Sequence, residues 1–178
     1  MATEALKFTL DRIETPVGEM LIVQDEHECL RALDWQEYEE RMYKLFDRYY
    51  GKCTVELIPG YGGGRVVDAL KRYIAGELDT IDTLEVETEG TEFQRKVWRA
   101  LREIPCGQTW SYGELARHIG NPDASRAVGM ANGANPIGVV VPCHRVIGSN
   151  HTLTGYGGGL ERKRWLLAHE GVIVEEPR

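Results

Sequence analysis

Apolar and polar residues alternate at the start of the chain. Leu6, Phe8 and Leu10 interleave with Lys7, Thr9 and Asp11, the period of a half-buried strand. Thr15-Pro16-Val17-Gly18 supplies a turn, and residues 20–23 and 30–35 are two further short apolar runs, so the pattern predicts a small antiparallel sheet. The period then lengthens. Over residues 38–49, Met42, Leu45, Phe46 and Tyr49 recur at helical spacing, and a second helix over 66–75 packs Val67, Leu70 and Ile74 before stopping at Gly76. Residues 60–64 read as a flexible break, and 77–90 as an acidic, turn-like linker.

From Thr91 the punctuation sharpens. Thr91-Glu92-Phe93-Gln94 and Ser111-Tyr112-Gly113-Glu114 both have the form of a capping box, in which the first side chain and the fourth satisfy each other's backbone N–H. The first opens a helix with Phe93, Val97, Trp98 and Leu101 on one face, ending before Pro105. The second opens a helix that ends at Gly120. Asn121-Pro122-Asp123 then turns into a third helix over 124–133. Two short helices joined by a Gly-containing turn fit a helix-turn-helix, and equally a plain helical corner. The third helix carries one charge, Arg126, among Ala, Gly, Val and Met. Small side chains let a backbone approach another surface closely, either a packed core or a DNA groove.

Charge divides the chain at the same place. Net charge is −7, yet residues 1–90 sum to −10 and residues 91–171 to +4. That split suggests two domains, 1–90 and 91–178, of which the second could neutralise phosphates. No apolar run approaches the roughly 18 residues of a membrane span. Residues 1–10 lack the basic start and apolar core of a secretory signal. Four cysteines, at 29, 53, 106 and 143, form neither a CxxC pair nor a disulfide framework, which predicts a soluble, reduced, cytoplasmic protein. A metal site would have to rest on His27, Cys29 and Cys53, whose spacing matches no common zinc pattern, so no metal is expected.

The chemistry concentrates in Val139-Val140-Val141-Pro142-Cys143-His144-Arg145-Val146. A β-branched run reads as a strand ending at a proline, followed by a thiol and an imidazole. Cysteine is the strongest side-chain nucleophile once ionised, and a neighbouring base promotes ionisation. Adjacent strand residues face opposite ways, so His144 reaches Cys143 only if the chain turns there or a water intervenes. Glu170 stands at the end of a helix over 160–169, against the negative end of its dipole, with Gly171 after it. A buried hydrogen bond to a histidine would offset that cost. Tyr156-Gly157-Gly158-Gly159 precedes the same helix, and Tyr61-Gly62-Gly63-Gly64 repeats the pattern without a reactive neighbour.

Pro142-Cys143-His144-Arg145-Val146 resembles the active-site signature of the O6-alkylguanine-DNA alkyltransferases, the methylated-DNA–protein-cysteine methyltransferases. The likeness runs from Thr91 to Gly171 through Ile104-Pro105-Cys106-Gly107-Gln108, Ser111-Tyr112, Ser125-Arg126-Ala127-Val128-Gly129, Asn135-Pro136, Gly155-Tyr156 and residues 166–171. Ile13-Glu14-Thr15-Pro16-Val17-Gly18 adds a likeness to the bacterial stand-alone members. The resemblance implies an α+β protein: an N-terminal, ribonuclease-like small antiparallel sheet with helices, and a mostly helical C-terminal domain whose helix-turn-helix enters the minor groove of alkylated double-stranded DNA.

It also implies roles. Cys143 would accept the alkyl group in a single, irreversible displacement after base flipping. His144 would act through a water and be held by Glu170, while Asn135 would brace the active-site turn. Arg126 would fill the space left by the flipped guanine, and Tyr112 would press on its phosphate and donate to the base. Val146, Tyr156, Gly157 and Gly158 would line the base pocket with the Cys143 carbonyl, and Lys163 would assist beside them. Ser125, Arg126, Ala127, Gly129, Met130, Asn132 and Tyr112 would meet DNA. No cofactor is implied, and the expected state is a monomer, with cooperative loading on DNA allowed. O4-alkylthymine is a further candidate substrate. Gly138 stands where some relatives carry proline, which would leave room for larger alkyl groups. Two rival readings are a cysteine hydrolase, which would need an oxyanion hole, and a DNA-binding regulator, which would need more base-reading side chains than Arg126, Ser125 and Asn132.

Overall fold

In the computed structural model, which describes residues 5–51, 55–150 and 153–173, the chain divides into two compact units, Met1–Glu89 and Gly90–Arg178. The first is built on a four-stranded sheet in the order β3-β2-β1-β4. Its strands are β1 (Leu6–Thr15), β2 (Gly18–Gln24), β3 (Leu30–Trp35) and β4 (Val55–Pro59). The first three are antiparallel, as their alternation predicts. β4 joins β1 in parallel, so the sheet as a whole is mixed. The hydrophobic pattern did not single out β4, an edge strand whose alternation is only Val55 and Leu57, both half-buried against the core, around exposed Glu56.

β2 is buried from Met20 to Gln24 without alternation, as befits a strand covered on both faces. Helix α1 (Glu39–Tyr50) lays Met42 and Phe46 against Phe8, Leu21, Val23 and Ala32, leaving Leu45 and Tyr49 half-buried. Helix α2 (Arg65–Ile74) packs on β1 with Val66, Val67, Leu70 and Tyr73 buried. The break at 60–64 is pinned: buried Asp11 accepts the Gly62 N–H at 2.8 Å, and Gly60 donates to Leu10 at 2.9 Å. The expected linker is likewise part of this unit. A 3-10 turn, Thr80–Thr83, buries Ile81, Leu84 is buried beside it, and Glu85 and Glu87 hydrogen-bond across Leu30.

Cys29 gathers with the Asp25 and Glu87 carboxylates rather than with His27. Arg31 already holds both, at 2.8 and 3.0 Å, so that cluster has its own cation. Cys53 lies outside the described residues.

The second unit is mostly helical: α3 (Glu92–Leu101), α4 (Tyr112–His118), α5 (Ser125–Gly133) and α6 (Leu160–His169), with a two-residue parallel pair, β5 (Trp110–Ser111) and β6 (Val146–Ile147). Thr91 and Gln94 form the reciprocal capping box. At α4 only the forward bond is present, from the Glu114 N–H to Ser111 Oγ at 3.1 Å, because Glu114 points to solvent. α3 buries Val97, Trp98 and Leu101, and the Trp98 indole donates to the Ala131 carbonyl of α5 at 2.8 Å. The β5–β6 pair ties the start of the helix-turn-helix to the residues just after His144 and Arg145.

Candidate active site and DNA-facing surface

The β-branched run before Cys143 is a folded turn, where a strand was expected. Val140 N–H bonds back to Gly138 across Val139, which sits at φ +68°, and Cys143 N–H bonds back to Val141 across Pro142 at φ −83°, ψ 65°. Two such three-residue turns, the first of the rare strained hand, reverse the chain in five residues. Asn135 holds both limbs: its Oδ1 accepts the Ile137 N–H at 3.0 Å, and its Nδ2 donates to Val141 O at 2.8 Å.

Cys143 then opens a 3-10 turn, Cys143–Arg145, with all three side chains buried. His144 Nε2 lies 3.0 Å from Glu170 Oε2. Arg145 grips the same carboxylate with two bonds, Nε at 2.9 Å and Nη2 at 3.0 Å, and its Nη1 reaches Ile104 O at 2.7 Å. Glu170 is the cap residue of α6. Gly171 follows at φ +88° and donates to Ala168, while Val172 donates to Leu167, the pair of bonds that closes a helix through a left-handed residue. The helix-end carboxylate therefore has the histidine partner the sequence called for. It also has Arg145, which sequence reasoning passed over; the signal was there in a second cation adjacent to His144.

Burial alone would raise the Glu170 carboxyl. The His144 ring and the Arg145 guanidinium outweigh that and hold it well below the ordinary range. With Glu170 ionised, Nε2 is the protonated nitrogen and Nδ1 keeps its lone pair. Burial pushes the His144 pKa down, so the ring is neutral. Its Nδ1 is buried with no hydrogen-bond partner among the described residues. The result is a neutral imidazole, aligned by a carboxylate, with its basic nitrogen unengaged, one residue from a buried thiol.

Lys163 of α6 is fully buried and donates to Val146 O at 2.6 Å and to Thr154 O at 3.2 Å. Burial lowers its pKa to about 8, with the Cys143 sulfur working the other way. Asn132 Nδ2 donates to Cys143 O at 3.4 Å. The two carbonyls expected to face a base, on Cys143 and Val146, thus each accept from a buried side-chain donor, and the Cys143 carbonyl also accepts the Val146 N–H that closes the 3-10 turn. Tyr112 Oη lies 2.9 Å from Thr154 Oγ1, linking the start of α4 to the loop before α6. In that loop Tyr156 is half-buried, Gly157 exposed and Gly158 buried.

On α5, Arg126, Ala127 and Met130 are exposed, the last at 74%, with Ser125 and Gly129 half-buried. A Cβ on Gly129 would stand 3.7 Å from the Tyr112 ring, so the two helices meet closely there. Asn132 corrects the sequence reading. It is 5% exposed and turned inward to the Cys143 carbonyl, one helical step away from the exposed set, so it belongs to the thiol's surroundings and not to the outer face.

Among the described residues no helix is long and apolar enough to cross a membrane. The family model for the 6-O-methylguanine DNA methyltransferase DNA-binding domain matches residues 92–172. A methylated-DNA–protein-cysteine methyltransferase of Shigella flexneri is 53% identical over 169 residues, spanning 95% of this chain and 99% of its own. One from Methanosarcina acetivorans is 60% identical over 163 residues, spanning 89% and 95%. The crystal structure of Mycobacterium tuberculosis OGT in complex with DNA superposes with a TM-score of 0.73 at 42% identity, covering 91% of this chain and 92% of that one.

Proposed function

The chain belongs to the methylated-DNA–protein-cysteine methyltransferases, and from that membership we propose that it reverses alkylation damage directly, moving the alkyl group of O6-alkylguanine in duplex DNA onto Cys143. The observation that carries the assignment of residues is the buried line Cys143, His144, Glu170, with Arg145 closing it and His144 Nδ1 left open. A water held at Nδ1 takes the thiol proton. The thiolate attacks the alkyl carbon, the new S–C bond forms as the C–O bond breaks, and the guanine leaves. Tyr112 gives the departing base a proton and regains one from solvent, so the thiol proton is balanced by the one the guanine gains. A thioether does not hydrolyse under mild conditions, so each chain reacts once.

The remaining roles follow from position. Asn135 fixes the reversal that presents the thiol, and Lys163 orients Val146 O while placing a positive charge near the sulfur. Tyr156 and the Gly157-Gly158 backbone wall the base pocket. Arg126, Ala127 and Met130, with Ser125 and Gly129, face the minor groove, where Arg126 fills the gap behind the flipped base. The small residues of α5 suit that shallow approach better than a base-reading major-groove helix. Gly138 beside the reactive turn leaves room for groups larger than methyl. We take the working form to be a cytoplasmic monomer needing no cofactor.

Intact mass after incubation with duplex DNA carrying one O6-methylguanine tests the reading. A gain of one methylene equivalent per chain, mapped to Cys143 and absent with undamaged DNA, is expected. No gain from reduced, folded protein overturns it.

A further inference from the structure

A polyanion is bound by neutralising its phosphates, and α5 is poorly supplied for that, since Arg126 is its one charged side chain. With a net charge of −7 on the whole chain, the cations have to come from elsewhere in the second unit. Arg145 and Lys163 are buried in the site and unavailable. The densest remaining group lies on α3. Arg95, Lys96 and Arg99 are all exposed, on the side of the helix opposite Val97, Trp98, Ala100 and Leu101, and Arg102 follows at its cap. The acidic residue of this helix, Glu92, stands in the first turn, where the helix dipole favours it.

The contrast with the first unit is informative. There Arg12, Arg31, Arg41, Arg65 and Arg72 each pair with a carboxylate. Among the described residues Arg95, Lys96 and Arg99 have no ion-pair partner, although Arg95 and Arg99, four residues apart, repel one another. Trp98, on the opposite side of this helix, donates to Ala131 of α5, so α3 packs directly against the helix assigned to the groove.

We propose that the exposed face of α3 is a second phosphate-binding surface, holding the DNA backbone that flanks the segment engaged by α5. It rests on the assignment of DNA as the substrate. It supplies the long-range attraction and the salt dependence of binding, while α5 and the turn at Cys143 supply lesion recognition. Charge complementarity decides the occupant: three adjacent unpaired cations match consecutive phosphates.

The test is equilibrium binding of the full chain to undamaged duplex over a range of salt concentrations. Arg95→Gln/Lys96→Gln/Arg99→Gln is compared with wild type, with Arg95→Lys/Arg99→Lys as the charge-conserving control. Each lost phosphate contact removes about 0.9 from the slope of log K against log salt, so the triple variant should be shallower by roughly 2 to 3. Reaction with free O6-benzylguanine should be unchanged, and the control should match wild type. An unchanged slope overturns the proposal, as does a loss shared by the charge-conserving control. A loss confined to cooperative loading at high protein concentration also overturns it, because the face would then meet the acidic unit of a neighbouring copy. A wild type that binds duplex through these residues yet takes up no alkyl group would sink the repair assignment and leave this one standing.

Discussion

Tyr-Gly-Gly-Gly occurs once in each unit, and the two copies enter their helices alike, although Gly159 closes a turn onto Tyr156 and Gly62, at φ +78°, has no left-handed counterpart at Gly157. Each leads into a ten-residue helix through a glycine with φ near +100°, Gly64 at 99° and Gly159 at 97°. In each the fourth helical residue donates to that glycine, Asp68 at 2.9 Å and Lys163 at 3.1 Å. What differs is what the segments face. Tyr61 is 86% exposed, its loop is held from behind by Asp11, and Asp68 points to water. Tyr156 is half-buried, and Lys163, in the position of Asp68, is sealed inside against Val146 and Thr154. The glycine-rich turn is a way of entering a helix. Chemistry arises only where the opposite wall carries a thiol and a buried cation.

The sharpest way to test this contrast is at the thiol. Cys143→Ser should abolish alkyl uptake completely, by intact mass, with duplex binding retained, whereas Cys29→Ser and Cys106→Ser should leave uptake intact. Next is Glu170→Gln, which strands the buried Arg145 cation. Breaking a buried pair of this kind costs about 3–5 kcal/mol in a urea titration. Because the folded pKa of Glu170 is depressed, its stabilisation is complete above the ordinary carboxylate range and is lost as pH falls through the folded value. The variant should therefore lose less stability than wild type on acidification from pH 5.

Lys163→Met should slow transfer and remove a pH effect. The folded pKa of about 8 lies below the ordinary 10.5, so the unfolded chain holds the proton longer and wild-type stability rises with pH across that window. That rise amounts to about 3 kcal/mol and should vanish in the variant. Asp68→Met, its counterpart in the first unit, should stay within about 0.5 kcal/mol. Gly64→Ala and Gly159→Ala each force a side chain into a conformation reserved for glycine, at about 1–3 kcal/mol. Thermal melts should show similar losses in both, while only Gly159→Ala slows transfer. Equal slowing by Gly64→Ala would erase the distinction.

Legibility in the sequence followed how local each cause was. The three antiparallel strands, the Thr91 capping box and the Gly171 cap are set by neighbouring residues, and all were readable. Glu170 announced itself by standing at the wrong end of a helix dipole. β4 was passed over because its alternation, Val55 and Leu57 against the core with Glu56 outward, spans only three residues before Ile58-Pro59. Val139, Val140 and Val141 misled because β-branching favours strands, and the bonds from Asn135 and across Val139 that bend them depend on the tertiary setting. The same holds for Asn132, whose inward turn is decided by the Cys143 carbonyl eleven residues away. Arg145 was hidden by its conspicuous neighbour.

Cys143 is 6% exposed, less than Cys29 or Cys106, and lies behind residues that are themselves sealed. If Cys143 is the acceptor proposed above, it is consumed by its one productive event, and concealment acts as preservation. A sulfur this buried is less accessible to oxidants and small electrophiles than those of Cys29 and Cys106. The supply of competent molecules is then governed by how many were synthesised and how many lesions have been met, with little attrition in between. A cell holding such a protein can keep an accurate reserve against damage that has not yet happened.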